Sequence, residues 1–310
     1  MQRQKEVKMK NEELRMKNAK RDTAPHSSSF ILHPSFARVS MALLAALCLA
    51  SSIASAAEPR VLIVTTEGNR QYNGTARWMP VQKQFVVNYQ QGGTAMTAEL
   101  SPDQIAWDKL KVAEPENWKS LGAAVVGIKG DDKVPAKVIA DLEGVMKDYA
   151  MLEYDVKAAR ELLRIHLREK RPADAMRVAN DLLFVRPDAA SASDAAPLIW
   201  DAMMQTKKTD NLEALLSQAV QQGSRTVAAQ ASLVRGDLLR AEGRDRDALK
   251  DGYLRVITLF KAERALQPTA LYKAALAFDA LQEVQYAEKM RQDLLGKYAD
   301  SDEAKMLRGK

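Results

Sequence analysis

The chain has 310 residues, 46% of them hydrophobic, enough to fill the interiors of about two ordinary domains. Its formal charge of +6 comes from residues 1–40, where nine Lys or Arg (Arg3, Lys5, Lys8, Lys10, Arg15, Lys17, Lys20, Arg21, Arg38) face four acids (Glu6, Glu12, Glu13, Asp22); residues 41–310 hold 37 basic against 36 acidic side chains. A near-neutral body removes the electrostatic footprint of a nucleic-acid binder.

Residues 1–40 carry the near-repeat MKNEELR, MKNAKRD at 9–22 with no apolar stripe. They are expected to be translated DNA upstream of the true start, or else a basic disordered arm. Met41 to Ala57 (MALLAALCLASSIASAA) is an apolar run of signal-peptide length, and Ala54-Ser55-Ala56 fits an A-x-A cleavage site before Ala57. Ser51, Ser52 and Ser55 interrupt the run, and about 20 apolar residues are needed to span a bilayer, so an exported chain with no stable span is expected. Retention of the segment as an anchor is the alternative. Leu47 stands before Cys48 where a lipoprotein signal wants a small residue. A chain beginning at Ala57 has no cysteine and one histidine, His166, which excludes disulfides and thiol catalysis and leaves a triad or His-rich metal site one imidazole.

From 58 to 113 the pattern is of strands: Val61 to Thr65, Gln71 to Trp78, Gln84 to Gln90, Thr94 to Leu100 and Ala106 to Val112. Glu67-Gly68-Asn69 and Gly92-Gly93 read as turns, and Ser101-Pro102-Asp103-Gln104 as a turn or helical corner. Five short strands in so few residues predict a small all-β barrel that closes its own edges, and the pattern resembles SH3-like or Sm-like barrels.

From 114 to 310 the period becomes helical. Helices are predicted near 115–128, 134–149, 152–170, 172–185, 192–206, 209–221, 225–242, 245–262, 268–281, 284–298 and from Ser301, making about five hairpins and a cap. Gly130 and Gly243 permit tight reversals, Pro172, Pro187 and Pro268 fit first turns or breaks, and Asp300-Ser301-Asp302 can cap the last helix. His166, among Leu162, Leu163 and Leu167, reads as a core histidine, and Trp78, Trp107, Trp118 and Trp200 as core anchors.

Gly236, Gly243 and Ala248 take the eighth, fifteenth and twentieth places of a helix-turn-helix unit, in ASLVRGDLLRAEGRDRDAL at 231–249, and on these residues the chain resembles the tetratricopeptide repeat family. Ala275 and Ala287 repeat the small positions downstream, and LLGKYADS at 294–301 resembles unit endings in envelope-assembly lipoproteins and cell-division coordinators, with Ala299 where those commonly have proline. Upstream, Ala175 takes the twentieth place but Leu163 replaces the small eighth residue. The unit at 192–221 is marked only by its neighbours, and the first, with Trp118, Gly130 and Leu142, carries Pro135 near its close-packed position. The resemblance implies an α-α superhelix in which these residues serve packing, and a concave face that binds a protein or peptide.

On that face Arg160, Arg164 and Arg168 would form a basic stripe about 12 Å long, either clamping an acidic peptide or paired with Glu161 and Glu169. Gln230, Asp237 and Arg240 would face the same groove. Asn73-Gly74-Thr75 matches a glycosylation acceptor, expected to be idle in a bacterial chain. No phosphate-binding glycine loop, HExxH, GxSxG or CxxC occurs, so no cofactor, metal or catalytic residue is assigned. The expected function is a non-catalytic exported scaffold of the periplasm or cell envelope. A carboxylate-dependent envelope hydrolase with a helical-repeat domain is the alternative, and RNA binding through the barrel conflicts with export and charge.

Overall fold

Four of the five predicted strands form as read. The computed structural model describes residues 58–127 and 132–309, so the leader, the signal-like segment and Gly130 lie outside the described residues. Strands β1 (Arg60–Val64), β2 (Gln71–Met79), β3 (Gln84–Gln91), β4 (Thr94–Leu100) and β5 (Lys111–Val112) make an antiparallel sheet in the order β4-β3-β2-β1-β5. Alternation decides the buried face: Val61, Ile63, Ala76, Trp78, Phe85 and Val87 are buried, and Trp78 stands opposite Phe85 with ring centroids 5.0 Å apart. Gly92 and Gly93 both have positive φ (59° and 83°), as a two-residue type I′ hairpin between β3 and β4 requires. Gly74 is dictated by β3, because a Cβ there would lie 1.9 Å from the Asn88 carbonyl oxygen.

The last predicted strand, 106–112, is only partly realised. Ala106 N–H donates to the Val64 carbonyl and Lys111–Val112 pair with Leu62 and Val61, but Trp107–Lys109 leave the ladder as a 3₁₀ turn between those two attachments. Trp107 consequently stands 41% exposed, its indole N–H tied to the Pro102 carbonyl at 2.9 Å, and is not the core anchor expected. Trp200 and Trp78 are buried and Trp118 partly so.

The rest is helical among the described residues: α1 (Trp118–Val126), α2 (Ala136–Asp148), α3 (Glu153–Arg168), α4 (Pro172–Val185), α5 (Ala189–Ala192), α6 (Ala196–Gln205), α7 (Leu212–Gln222), α8 (Arg225–Ala241), α9 (Asp245–Asp247), a π-helical segment (Ala248–Tyr253), α10 (Leu254–Leu259), α11 (Gln267–Ala280), α12 (Val284–Lys297) and α13 (Asp302–Arg308). From α2 to α4 each helix packs on the next, and the same holds for α7 on α8 and α11 on α12; α3 also touches α6, and α6 touches α8. Pro172 and Pro268 stand in first turns, and Ser301 Oγ accepts the Ala304 N–H at 3.2 Å.

The helix predicted over 192–206 starts later, at Ala196, behind a separate short helix that ends at Ala192. Ser193 adopts an extended backbone, its hydroxyl donates to the Ala189 carbonyl at 2.6 Å, and the chain restarts at Ala196 with Pro197 in its first turn. The Trp200 indole N–H then donates to the Ala190 carbonyl at 2.7 Å, filling an acceptor left open at the end of α5.

Four reversals share one geometry. Lys170, Lys207, Gly243 and Gln282 all have positive φ (55°, 56°, 74° and 61°) and lie 37, 36 and 39 residues apart. At each, the N–H of the left-handed residue reaches back three carbonyls and the next N–H reaches back five; at Gly243 these bonds go to Arg240 and Leu239, both at 2.9 Å. Seven residues before the turns stand Leu163, Trp200, Gly236 and Ala275, and five after them Ala175, Leu212, Ala248 and Ala287; all eight are buried. The 73 residues from Ala175 to Ala248 are thus two nearly equal intervals meeting at Leu212.

Two helices approach closely at Gly236 and Gly252. A Cβ on Gly252 would lie 2.5 Å from the Gly236 Cα, and one on Gly236 would lie 2.5 Å from the Tyr253 ring. The π segment supplies this fit, laying the fully buried Tyr253 ring over Gly236 while its hydroxyl donates to Asp237 at 2.9 Å.

Candidate functional site

Arg160, Arg164 and Arg168 project from α3, whose opposite face buries Ala158, Ala159, Leu162, Leu163 and Ile165. Glu161 pairs with two of the three, at 3.3 Å from Arg160 and 2.7 Å from Arg164, and Arg160 also lies 4.0 Å from Asp194 at the entry to α6. Arg168 is exposed, and Glu169 is committed elsewhere: it accepts the Val134 N–H at 2.9 Å and pairs with Arg171 at 2.6 Å, which holds its carboxyl below the ordinary glutamate value. Of the three, Arg168 alone has no ion pair among the described residues.

Gln230, Asp237 and Arg240 lie along α8 and are each partly buried. Asp237 accepts from Tyr253 and, at 2.5 Å, from Lys273 of α11; Arg240 pairs with Asp245 at 3.3 Å. These two charges therefore tie α8 to the following segments. The packing residues Ala175, Gly236, Ala248, Ala275 and Ala287 are buried, while Gly243 is exposed at its turn.

His166 is 1% exposed, and neither ring nitrogen has a hydrogen-bond partner among the described residues. Burial, then the nearby Arg171, holds its pKa below the ordinary imidazole value, so the ring is neutral at pH 7. It is a buried core histidine with no acid or nucleophile bonded to it among the described residues. Sequence reasoning missed the companion buried charge. Asp155, 1% exposed, accepts N–H groups of Met151 (2.7 Å) and Val156 (2.6 Å) and the Arg186 guanidinium at 2.7 Å, and Arg186 also donates to the Leu152 carbonyl at 3.0 Å. The signal for this lock, an Arg one residue beyond a helix and an Asp in the first turn of another, is too common to single out.

Two cavities flank the junction of sheet and helices. One, of about 580 Å³, is lined by Arg77, Trp78 and Pro80 at the end of β2 and by residues of α2 and α4, among them Met146, Leu182 and the 73% exposed Phe184. The other, of about 550 Å³, is lined by the start of β1, the segment before α1, and α2. No described helix is long and apolar enough to cross a membrane, and no three described His, Cys, Asp or Glu converge as metal ligands. Comparison with protein families, curated proteins and solved structures finds no match to this chain.

Proposed function

We propose that the chain is a non-catalytic, exported scaffold of the periplasm or cell envelope, a tetratricopeptide-like solenoid of helix hairpins behind a small barrel-like β module. It holds a protein or peptide partner on the concave face made by the first helices of the hairpins. The observation that carries this reading is the recurrence of one turn at Lys170, Lys207, Gly243 and Gln282, with buried residues at fixed offsets on both sides. Repeated hairpins joined by one turn stack in one direction and leave a long surface, the form suited to an extended ligand. The stripe of Arg160, Arg164 and Arg168 supplies cationic contacts for an acidic segment of that partner, and the cleft beside Trp78 and Phe184 supplies a second, apolar contact.

Affinity capture from envelope extracts tests this, comparing the parent chain with the triple variant R160A/R164A/R168A. A stoichiometric protein captured by the parent and reduced at least about tenfold by the variant is expected, the loss of a few charge-assisted contacts. Equal capture by both refutes the stripe, and turnover of peptidoglycan by the pure chain refutes the non-catalytic reading.

A further inference from the structure

Arg246, Lys250 and Arg255, from the helical run of α9, the π segment and α10, line a cleft of about 380 Å³, which Glu283 joins from the turn between α11 and α12. The π segment brings two of these cations together. On an α-helix, residues five apart such as Lys250 and Arg255 stand about 140° apart around the axis; the wider π turn narrows that angle, and both residues line the same cleft. Glu283 pairs with Arg246 at 3.8 Å, so the one lining acid is matched by one cation. Lys250 and Arg255 have no ion pair and no side-chain hydrogen bond among the described residues, which leaves the cleft two positive charges in surplus.

Burial makes the isolation of Arg255 costly. The residue is partly buried, and its Nε is shut off from solvent with no acceptor among the described residues. Arg160, Arg171 and Arg235 also bury an unpaired Nε, but each places another guanidinium nitrogen on a carboxylate: Glu161 at 3.3 Å, Glu169 at 2.6 Å and Glu213 at 3.1 Å. Of these four arginines Arg255 alone has no such partner among the described residues. Open guanidinium donors withdrawn from water are satisfied by an oxyanion, whose geometry matches the planar fork. Leu249, Leu254, Phe278 and Leu281 give the same cleft an apolar floor, and Leu249 and Phe278 are buried.

We propose that this cleft binds a small organic phosphate monoester, its phosphate accepting from the Arg255 guanidinium and the Lys250 ammonium and its apolar body lying on Leu254 and Phe278. The two surplus charges select a dianion, which a phosphate monoester is close to being at pH 7 and a carboxylate or sulfate ester is not. The apolar floor selects an ester over the inorganic ion, and a volume near the lower end of the small-ligand range favours a body about the size of one aromatic ring. The site shares no residue with the arginine stripe of α3 and needs no protein partner, so it goes beyond the scaffold reading.

Phenyl phosphate is the probe, titrated into the full chain by calorimetry at 150 mM salt, where diffuse surface attraction is screened. One saturable site with a dissociation constant below about 1 mM is expected, at least about tenfold tighter than for phenyl sulfate, a monoanion of the same shape, and for inorganic phosphate, which lacks the apolar body. Arg255→Met keeps an apolar stem and removes the donors; it should weaken binding at least about tenfold without loss of melting temperature, since no ion pair is given up. Lys250→Gln, at an exposed position, should weaken binding several-fold. No saturable phenyl phosphate site, equal affinity for phenyl sulfate or inorganic phosphate, or unchanged binding by either variant would each overturn the proposal.

Discussion

Replacing Gly236 by Ala adds one methyl group, and the structure determines what it meets. The new Cβ would stand 2.5, 2.7 and 2.9 Å from three atoms of the Tyr253 ring, which is fully buried and anchored by its hydroxyl to Asp237. Overpacking of this kind costs about 1–3 kcal/mol, against roughly 1 kcal/mol gained by replacing a mid-helix glycine, so a net loss of up to about 2 kcal/mol is expected. In a domain of this size that is a fall of up to roughly 8 °C in melting temperature. Gly252→Ala should be worse, about 3 kcal/mol or more, because its Cβ meets the backbone of Gly236 (Cα 2.5 Å, N 2.7 Å), which no side-chain rotation relieves. Trimming the ring with Tyr253→Leu should recover part of the Gly236→Ala loss and none of the Gly252→Ala loss, a coupling read from a double-mutant cycle in urea. Gly122→Ala in α1 and Gly144→Ala in α2, where a Cβ meets nothing, serve as controls and should be neutral or stabilising. Gly236→Ala as stable as those controls would refute the packing argument.

The buried ion pair and the buried histidine give two further tests. Arg186→Met strands Asp155, whose side chain is 2% exposed, and should cost about 3–5 kcal/mol in denaturant unfolding; Asp155→Leu combined with it should restore much of the loss, and an unaffected single variant would rule out the lock. The folded-state pKa of His166 lies below its ordinary 6.5, so the unfolded chain binds the extra proton as pH falls. Stability from this group is complete above about pH 6.5 and declines below it, by at most ~1.4 kcal/mol per pH unit until the folded-state value is passed. His166→Phe should flatten that slope in melts from pH 7.5 to 5.5, and an unchanged slope would assign it to other groups.

Local punctuation with a single physical solution was readable from the residues: Gly92-Gly93 as a hairpin, Gly243 as a left-handed reversal, Pro172 and Pro268 as first turns, Ser301 as a cap. The regular turn spacing was not, because three of the four reversals place Lys or Gln where glycine is the usual marker. A left-handed non-glycine residue costs about 1–2 kcal/mol, and the two carbonyls satisfied at each turn offset it, a compensation invisible in composition. The spacing around Lys207 was hidden for a second reason: the buried Trp200 and Leu212 fill the places that Gly236 and Ala248 hold beside Gly243. Long-range pairings were beyond reach. The commitments of Asp237 to Lys273, Arg186 to Asp155 and Glu169 to the Val134 N–H each span more than 30 residues, and they decide which charges along α3 and α8 remain available to a partner.

The π-helical segment at Ala248–Tyr253 has a consequence for what changes in length this chain can absorb. Such a segment accommodates one more residue than the α-helix it interrupts. Deleting one residue between Ala248 and Gly252 would let the stretch close into ordinary α-helix and return α10 to its place. A deletion one turn later, with no surplus to draw on, would rotate the remainder of α10 by about 100° and swing the fully buried Val256 out of the interior. Two deletions a few residues apart should therefore differ sharply, the first losing the Tyr253 contact and the second the hairpin.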